Sequence, residues 1–111
     1  MKVSKGTFRI ITQHGWKTKE GTVGYDFPFY IFREEDHKGT RDWNLSHIAS
    51  GYSITKGISL KQAKRLAKQL KTFPLFLFPD VESIKKEQDR MKQKGTYSNL
   101  LDVIRGAHNE Q

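Results

Sequence analysis

The chain has 111 residues, no cysteine and a formal net charge of +8, which is one domain's worth of basic protein. Without cysteine there is no disulfide framework, no thiol nucleophile and no cysteine-ligated zinc or iron–sulfur site, and the expected setting is a reducing cytoplasm. No apolar run approaches the ~20 residues of a membrane span, and the Met1-Lys2-Val3 start lacks the apolar stretch of a signal peptide, so no membrane association is expected. Apolar residues make up only 35% of the chain and aromatics 12%, so Phe, Tyr and Trp must supply much of the core.

The first half reads as β structure. Residues 7–12 alternate as a strand does, and the polar, glycine-containing segment 14–24 reads as a loop carrying Trp16 beside Lys17 and Lys19. Phe27, Phe29, Tyr30, Ile31 and Phe32 make a run that is apolar on both parities, a core strand with Pro28 at its start or on an edge. Residues 34–39 form a charged turn. Residues 42–48 and 52–54 then flank Ser50-Gly51, a two-residue hairpin turn. That turn sets Ala49 against Tyr52, His47 against Ile54 and Leu45 against Lys56, with Trp43, Leu45, His47, Ala49, Tyr52 and Ile54 on the core face.

The second half reads as helices. Ser59-Leu60-Lys61-Gln62 has the form of a capping box, with Ile58 and Ala63 at the staple positions. At about 100° per residue, Leu60, Ala63, Leu66, Ala67 and Leu70 gather on one side and Lys61, Lys64, Arg65, Lys68 and Lys71 on the other. Pro74 stops this helix, and residues 73–78 are a strand or an extended segment crossing the core. Asp80 caps a helix over 81–94 that ends at Gly95. Its thin stripe of Val81, Ile84 and Met91 predicts a surface or projecting position and a route to self-association. A third helix uses Tyr97, Leu100, Leu101 and Ile104 before Gly106, leaving residues 107–111 as a frayed tail. The fold class expected is therefore α+β: one domain over residues 1–106, an N-terminal antiparallel sheet of three to five strands packed on one face by C-terminal helices.

The charge is unevenly placed. Residues 1–55 hold eight basic and six acidic side chains (+2), and residues 56–111 hold twelve and six (+6). From 56 to 71 the chain carries Lys56, Lys61, Lys64, Arg65, Lys68 and Lys71 with no acid at all, a single-sign field that attracts polyanions. Fourteen of the twenty basic residues are Lys and six are Arg, which favours phosphate contact over bidentate reading of bases. Trp16 among lysines is placed either to stack on an unpaired base or to cap the open end of the core. Further basic residues, Lys85, Lys86, Arg90, Lys92 and Lys94, extend the surface.

Catalytic and metal chemistry find little footing. Asp42, His47 and Ser46 or Ser50 bring the right atoms for a triad, but strand alternation sends Ser46 to the face opposite His47. Gly21-Thr22-Val23-Gly24 lacks the lysine and the strand–loop–helix setting of a phosphate loop. Glu34-Glu35-Asp36 reads as a solvated turn, and His14, His37, His47 and His108 lack the spacing of a metal site on one helix face. No enzymatic activity, metal or cofactor is expected.

The segment Lys56-Gly57-Ile58-Ser59-Leu60-Lys61-Gln62-Ala63-Lys64, continuing through Leu66-Ala67 to Leu70, resembles the final strand–helix junction of double-stranded-RNA-binding domains. In that family a Ser-Lys-Lys-x-Ala-Lys helix start meets phosphates across a groove. The resemblance implies that role for Lys61 and Lys64, with Leu60 standing where the family has its first lysine. It is confined to residues 56–70, and the family's first helix has no counterpart in residues 1–12. The same junction is similar to the small three-stranded-sheet-plus-helix DNA-binding domains at the front of phage integrases, which set the sheet against DNA. The functional expectation is a small, sequence-tolerant nucleic-acid-binding protein, for DNA or RNA, using Lys56, Lys61, Lys64, Arg65, Lys68, Lys71, Trp16, Lys17 and Lys19. The alternative is a protein-interaction module, an accessory or inhibitor subunit docking on an acidic partner, a role also filled by proteins of mobile elements.

Overall fold

A computed structural model describes the backbone of residues 1–109 and the side chains through Ala107. Five strands, β1 (Ser4–Thr12), β2 (Gly15–Asp26), β3 (Phe29–Glu34), β4 (Trp43–His47) and β5 (Ser53–Ile58), form one antiparallel sheet in the order β1-β2-β3-β4-β5. Helix α1 (Leu60–Leu70), a short 3-10 helix (Pro74–Leu77), α2 (Val81–Lys94) and α3 (Tyr97–Asn109) follow. The helices cover one face of the sheet, giving the α+β architecture expected from the sequence.

That face carries Phe29, Ile31, Trp43, Leu45 and Ile58, packed on Ala63, Leu66, Ala67 and Leu70 of α1 and on Leu75, Phe76, Ile84, Met91, Leu100 and Ala107. The capping box is formed as the sequence implies. The Gln62 amide donates to Ser59 Oγ at 3.1 Å and the Ser59 amide to Gln62 Oε1 at 2.9 Å. Two of the four orphan amides of α1 are thereby satisfied. Ile58 and Ala63, on either side of the cap, are fully buried.

The segment 14–24 is not a loop. It forms most of β2, paired along β1 from Thr12↔Gly15 to Ser4↔Val23. Apart from Trp16, the outer half of β2 is polar on both faces, so the strand shows no apolar alternation, and pairing along β1 specifies it. The sheet coils strongly here. Phe8 lies opposite Lys19 and Phe32 opposite Val23, four positions further along β2. In a flat sheet those two positions sit about 16 Å apart, from the spacing of strands and the rise per residue. Their ring centroids are 4.1 Å apart. The outer half of the hairpin therefore bends over the helix-free face and encloses a second cluster of Phe8, Val23 and Phe32, with Ile10 and Tyr30 alongside. The Ile11 amide reaches the Gly51 carbonyl at 3.0 Å and ties the hairpin to the β4–β5 connection. Gly21 makes the bend possible, because a Cβ there would fall 2.1 Å from the Arg33 carbonyl oxygen.

Other expectations are corrected by geometry. Pro28 sits in the β2–β3 turn rather than in the strand, and it carries Phe27 into solvent at 72% exposure while Phe29 and Phe32 are buried. The β4–β5 register agrees with the two-residue turn only at Trp43↔Ile58. It slips to Leu45↔Thr55 and then to Ser46↔Ser53. The connection spans residues 48–52, where the Gly51 amide bonds the His47 carbonyl at 2.8 Å. The slip puts Thr55 inside and leaves Tyr52 and Ala49 outside. Residues 73–78 form the 3-10 helix and its flanks, inserting Leu75 and Phe76 into the core. Helix α2 does not project: Ile84 and Met91 are buried, so the stripe expected to mediate self-association is covered by the chain itself. Helix α3 continues past Gly106 and buries Ala107, so the expected tail is helical through Asn109; residues 110–111 lie outside the described residues.

One buried group has no partner. Among the described residues, Ser46 Oγ is enclosed without a hydrogen bond. Ser46→Ala is therefore expected to be neutral or to stabilise the fold by up to about 1 kcal/mol, readable as an unchanged or higher urea midpoint.

Candidate nucleic-acid interface

Helix α1 lies on β3 and β4 and beside α3, with its apolar side used up in the core. Lys61, Lys64, Arg65, Lys68 and Lys71 are all exposed, as is Lys56 at the end of β5. Among the described residues, Lys56, Lys61, Lys64 and Lys68 make no ion pair with a carboxylate. Lys71 does, bonding Asp26 across the β2–β3 turn, which removes it from the free positive surface. No acid stands in the first turn of α1, so the partial positive charge of the helix start adds to Lys61 instead of being offset. The result is a line of cations at three- and four-residue spacing, each step about 5–6 Å along the helix surface.

The sequence-predicted residues do not form one site. Lys17, Lys19 and Trp16 lie on the outer half of β2, where Lys17 and Lys19 pair with Ile10 and Phe8 and share their side of the sheet, and Trp16 pairs with Ile11 on the other side. Lys19 stands 3.6 Å from Glu34. Trp16 is 42% exposed, with the Arg9 guanidinium 4.8 Å from its ring centroid. The α2 lysines fare poorly as a phosphate surface. Lys86 lies 3.9 Å from Glu82, and Arg90 holds the buried Glu87 carboxylate with contacts of 2.6 and 3.0 Å. Lys92 sits over the Tyr97 ring. The coherent set is Lys56, Lys61, Lys64, Arg65 and Lys68.

Among the described residues, His47 is buried alongside a polar network of its own. Its Nε2 lies 2.7 Å from the Phe76 carbonyl, which can only accept, so Nε2 carries the proton. Nδ1 then accepts from Ser50 Oγ at 2.8 Å, and Ser50 Oγ accepts from the Tyr52 amide at 3.2 Å. Asp42 is elsewhere, its carboxylate receiving the Gly39 amide at 2.6 Å. The ring's bonds to Ser50 and to the Phe76 carbonyl clamp the β4–β5 connection to the 3-10 helix. Burial pushes the imidazole below its ordinary value of 6.5, and the bond to the Phe76 carbonyl opposes this only in part. Below pH 6.5 the unfolded chain binds this proton more readily than the folded one, so stability is expected to fall with acidification. Urea midpoints measured between pH 7.5 and pH 5 test this, and His47→Gln should flatten that part of the profile.

Glu34, Asp36 and His37 place their ligand atoms within 4.8 Å of one another on the β3–β4 loop, but Glu34 is already engaged by Lys19 and His37. Comparison of the chain with protein-family models, with curated proteins and with solved structures finds no match in any of the three. The likeness of residues 56–70 to known strand–helix junctions stays local, set in a five-stranded coiled sheet.

Proposed function

We propose that this chain is a small nucleic-acid-binding protein that grips the phosphate backbone with Lys56, Lys61, Lys64, Arg65 and Lys68. The observation that supports this reading is the outer face of α1: exposed along its length, free of acidic residues and basic at every exposed position but Gln69, and carried on a helix whose other face is locked into the core. Lysines supply point charges on flexible stems, so they follow phosphates without reading base edges. Binding is then sequence-tolerant. The test is anisotropy with two labelled duplexes of unrelated sequence at low salt. The expected affinities agree within about threefold, since phosphate contacts carry no sequence information. Absence of binding, or a preference well above tenfold for one duplex, overturns the reading.

A further inference from the structure

We infer that the β1–β2 hairpin carries a second nucleic-acid site, separate from the α1 face, which takes single strands by stacking an unpaired base against Trp16 and Arg9. It rests on the reading above for its class of ligand and goes beyond it in position and chemistry.

Two features of the hairpin converge. The first is charge: residues 1–19 include Lys2, Lys5, Arg9, Lys17 and Lys19, and the first acidic residue of the chain is Glu20. Among the described residues only Lys19 of these is paired with a carboxylate. The second is the indole. The chain has two tryptophans, each with an arginine guanidinium over its ring, Arg33 at 4.9 Å from Trp43 and Arg9 at 4.8 Å from Trp16. Trp43 is enclosed in the core at 6% exposure, whereas Trp16 is displayed at 42%. Its position is fixed all the same. The edge of the ring packs on Gly51, whose φ is 74° and where an added Cβ would come within 2.5 Å of the indole. A large aromatic surface held rigidly among unpaired cations is a stacking platform that has already lost its conformational freedom.

The chemistry selects single strands. Bases in a duplex are stacked on one another and cannot reach an indole on a protein surface. An unpaired base can join the Arg9–Trp16 stack while Lys5, on the same face of β1 as Arg9, meets an adjoining phosphate. The hairpin site is built on β1 and β2 against Gly51 of the β4–β5 connection and shares no residue with the α1 set, so one molecule can hold a duplex on α1 and an unpaired segment on the hairpin.

The test uses the emission of Trp16, since Trp43 is shielded. Oligothymidylate of about 20 nucleotides is expected to quench the tryptophan fluorescence of the full chain, and Trp16→Phe is expected to abolish that quench while keeping most of the affinity. Trp16→Ala should weaken oligothymidylate binding about tenfold and leave duplex binding within about twofold. Oligothymidylate binding that neither changes the emission nor responds to Trp16→Ala overturns the inference alone, as does duplex binding with no affinity for oligothymidylate. A wild-type chain that binds neither overturns it together with the reading on which it rests.

Discussion

Replacing Lys61, Lys64 and Lys68 together with glutamate is expected to weaken duplex binding at least about 100-fold. Each lysine that meets a phosphate releases condensed counterion. Three lost contacts reduce the gain from that release, and three added negative charges repel the backbone. All three positions are exposed, and among the described residues none is tied to a carboxylate. The fold should therefore be spared, with the thermal midpoint moving by no more than about 4 °C. Lys61→Glu even places an acid in the first turn of α1, where the helix has none. Anisotropy with a labelled duplex, paired with a thermal scan, reads both quantities. A triple variant that binds like the wild type would place the contact surface elsewhere on the molecule.

The other face of the same helix predicts the opposite pattern. Leu66 is 1% exposed and sits in the main core with Phe29, Leu45 and Leu70. Leu66→Ala removes buried methyl groups and leaves a cavity that the sheet on one side and α3 on the other can only partly fill, at about 2–5 kcal/mol. For a domain of this size that lowers the thermal midpoint by roughly 10 °C or more. Duplex affinity measured well below the new midpoint should be unchanged, because the charged side of the helix is untouched. A loss of affinity without a loss of stability would mean that α1 shifts against the sheet when this side chain is shortened.

The parts of this molecule legible in the sequence are those where burial and local chemistry agree. Ser59 and Gln62 announce the start of α1, and the separation of its apolar and basic residues announces which side meets the sheet. Asp80 and Gly95 bound α2 in the same way, with Gly95 in the left-handed region that favours glycine. The outer half of β2 was hidden because it earns its structure from backbone pairing, not from an apolar face, so it looks like a polar loop. The β4–β5 register was hidden for a different reason. Its connection is held by His47 reaching both Ser50 and the Phe76 carbonyl, and the contact to residue 76 is invisible to any local rule. Helix α2 looks thinly apolar in the sequence because it packs chiefly on the 3-10 helix and α3, where Ile84 and Met91 suffice.

The candidate site divides along the same line. The α1 cations follow directly from helical spacing. The grouping of Trp16, Lys17 and Lys19 with them does not survive the fold, because strand alternation sends Lys17 and Lys19 to the helix-free side and leaves Trp16 against Gly51. The absence of any acid before Glu20 was a signal in the chain that pointed to a second basic surface. Its partner, the display of Trp16 beside Arg9, required the fold.

The most direct test of the central claim is the salt dependence of duplex binding by the wild-type chain. Four cations on α1 and Lys56 of β5 meeting phosphates predict a slope of about −4.5 in log affinity against log salt, or roughly a 500-fold loss between 50 and 200 mM. The triple glutamate variant should retain a slope shallower than about −2. A wild-type slope near zero, or no binding at the lowest salt, would contradict the assignment of the α1 face to the phosphate backbone.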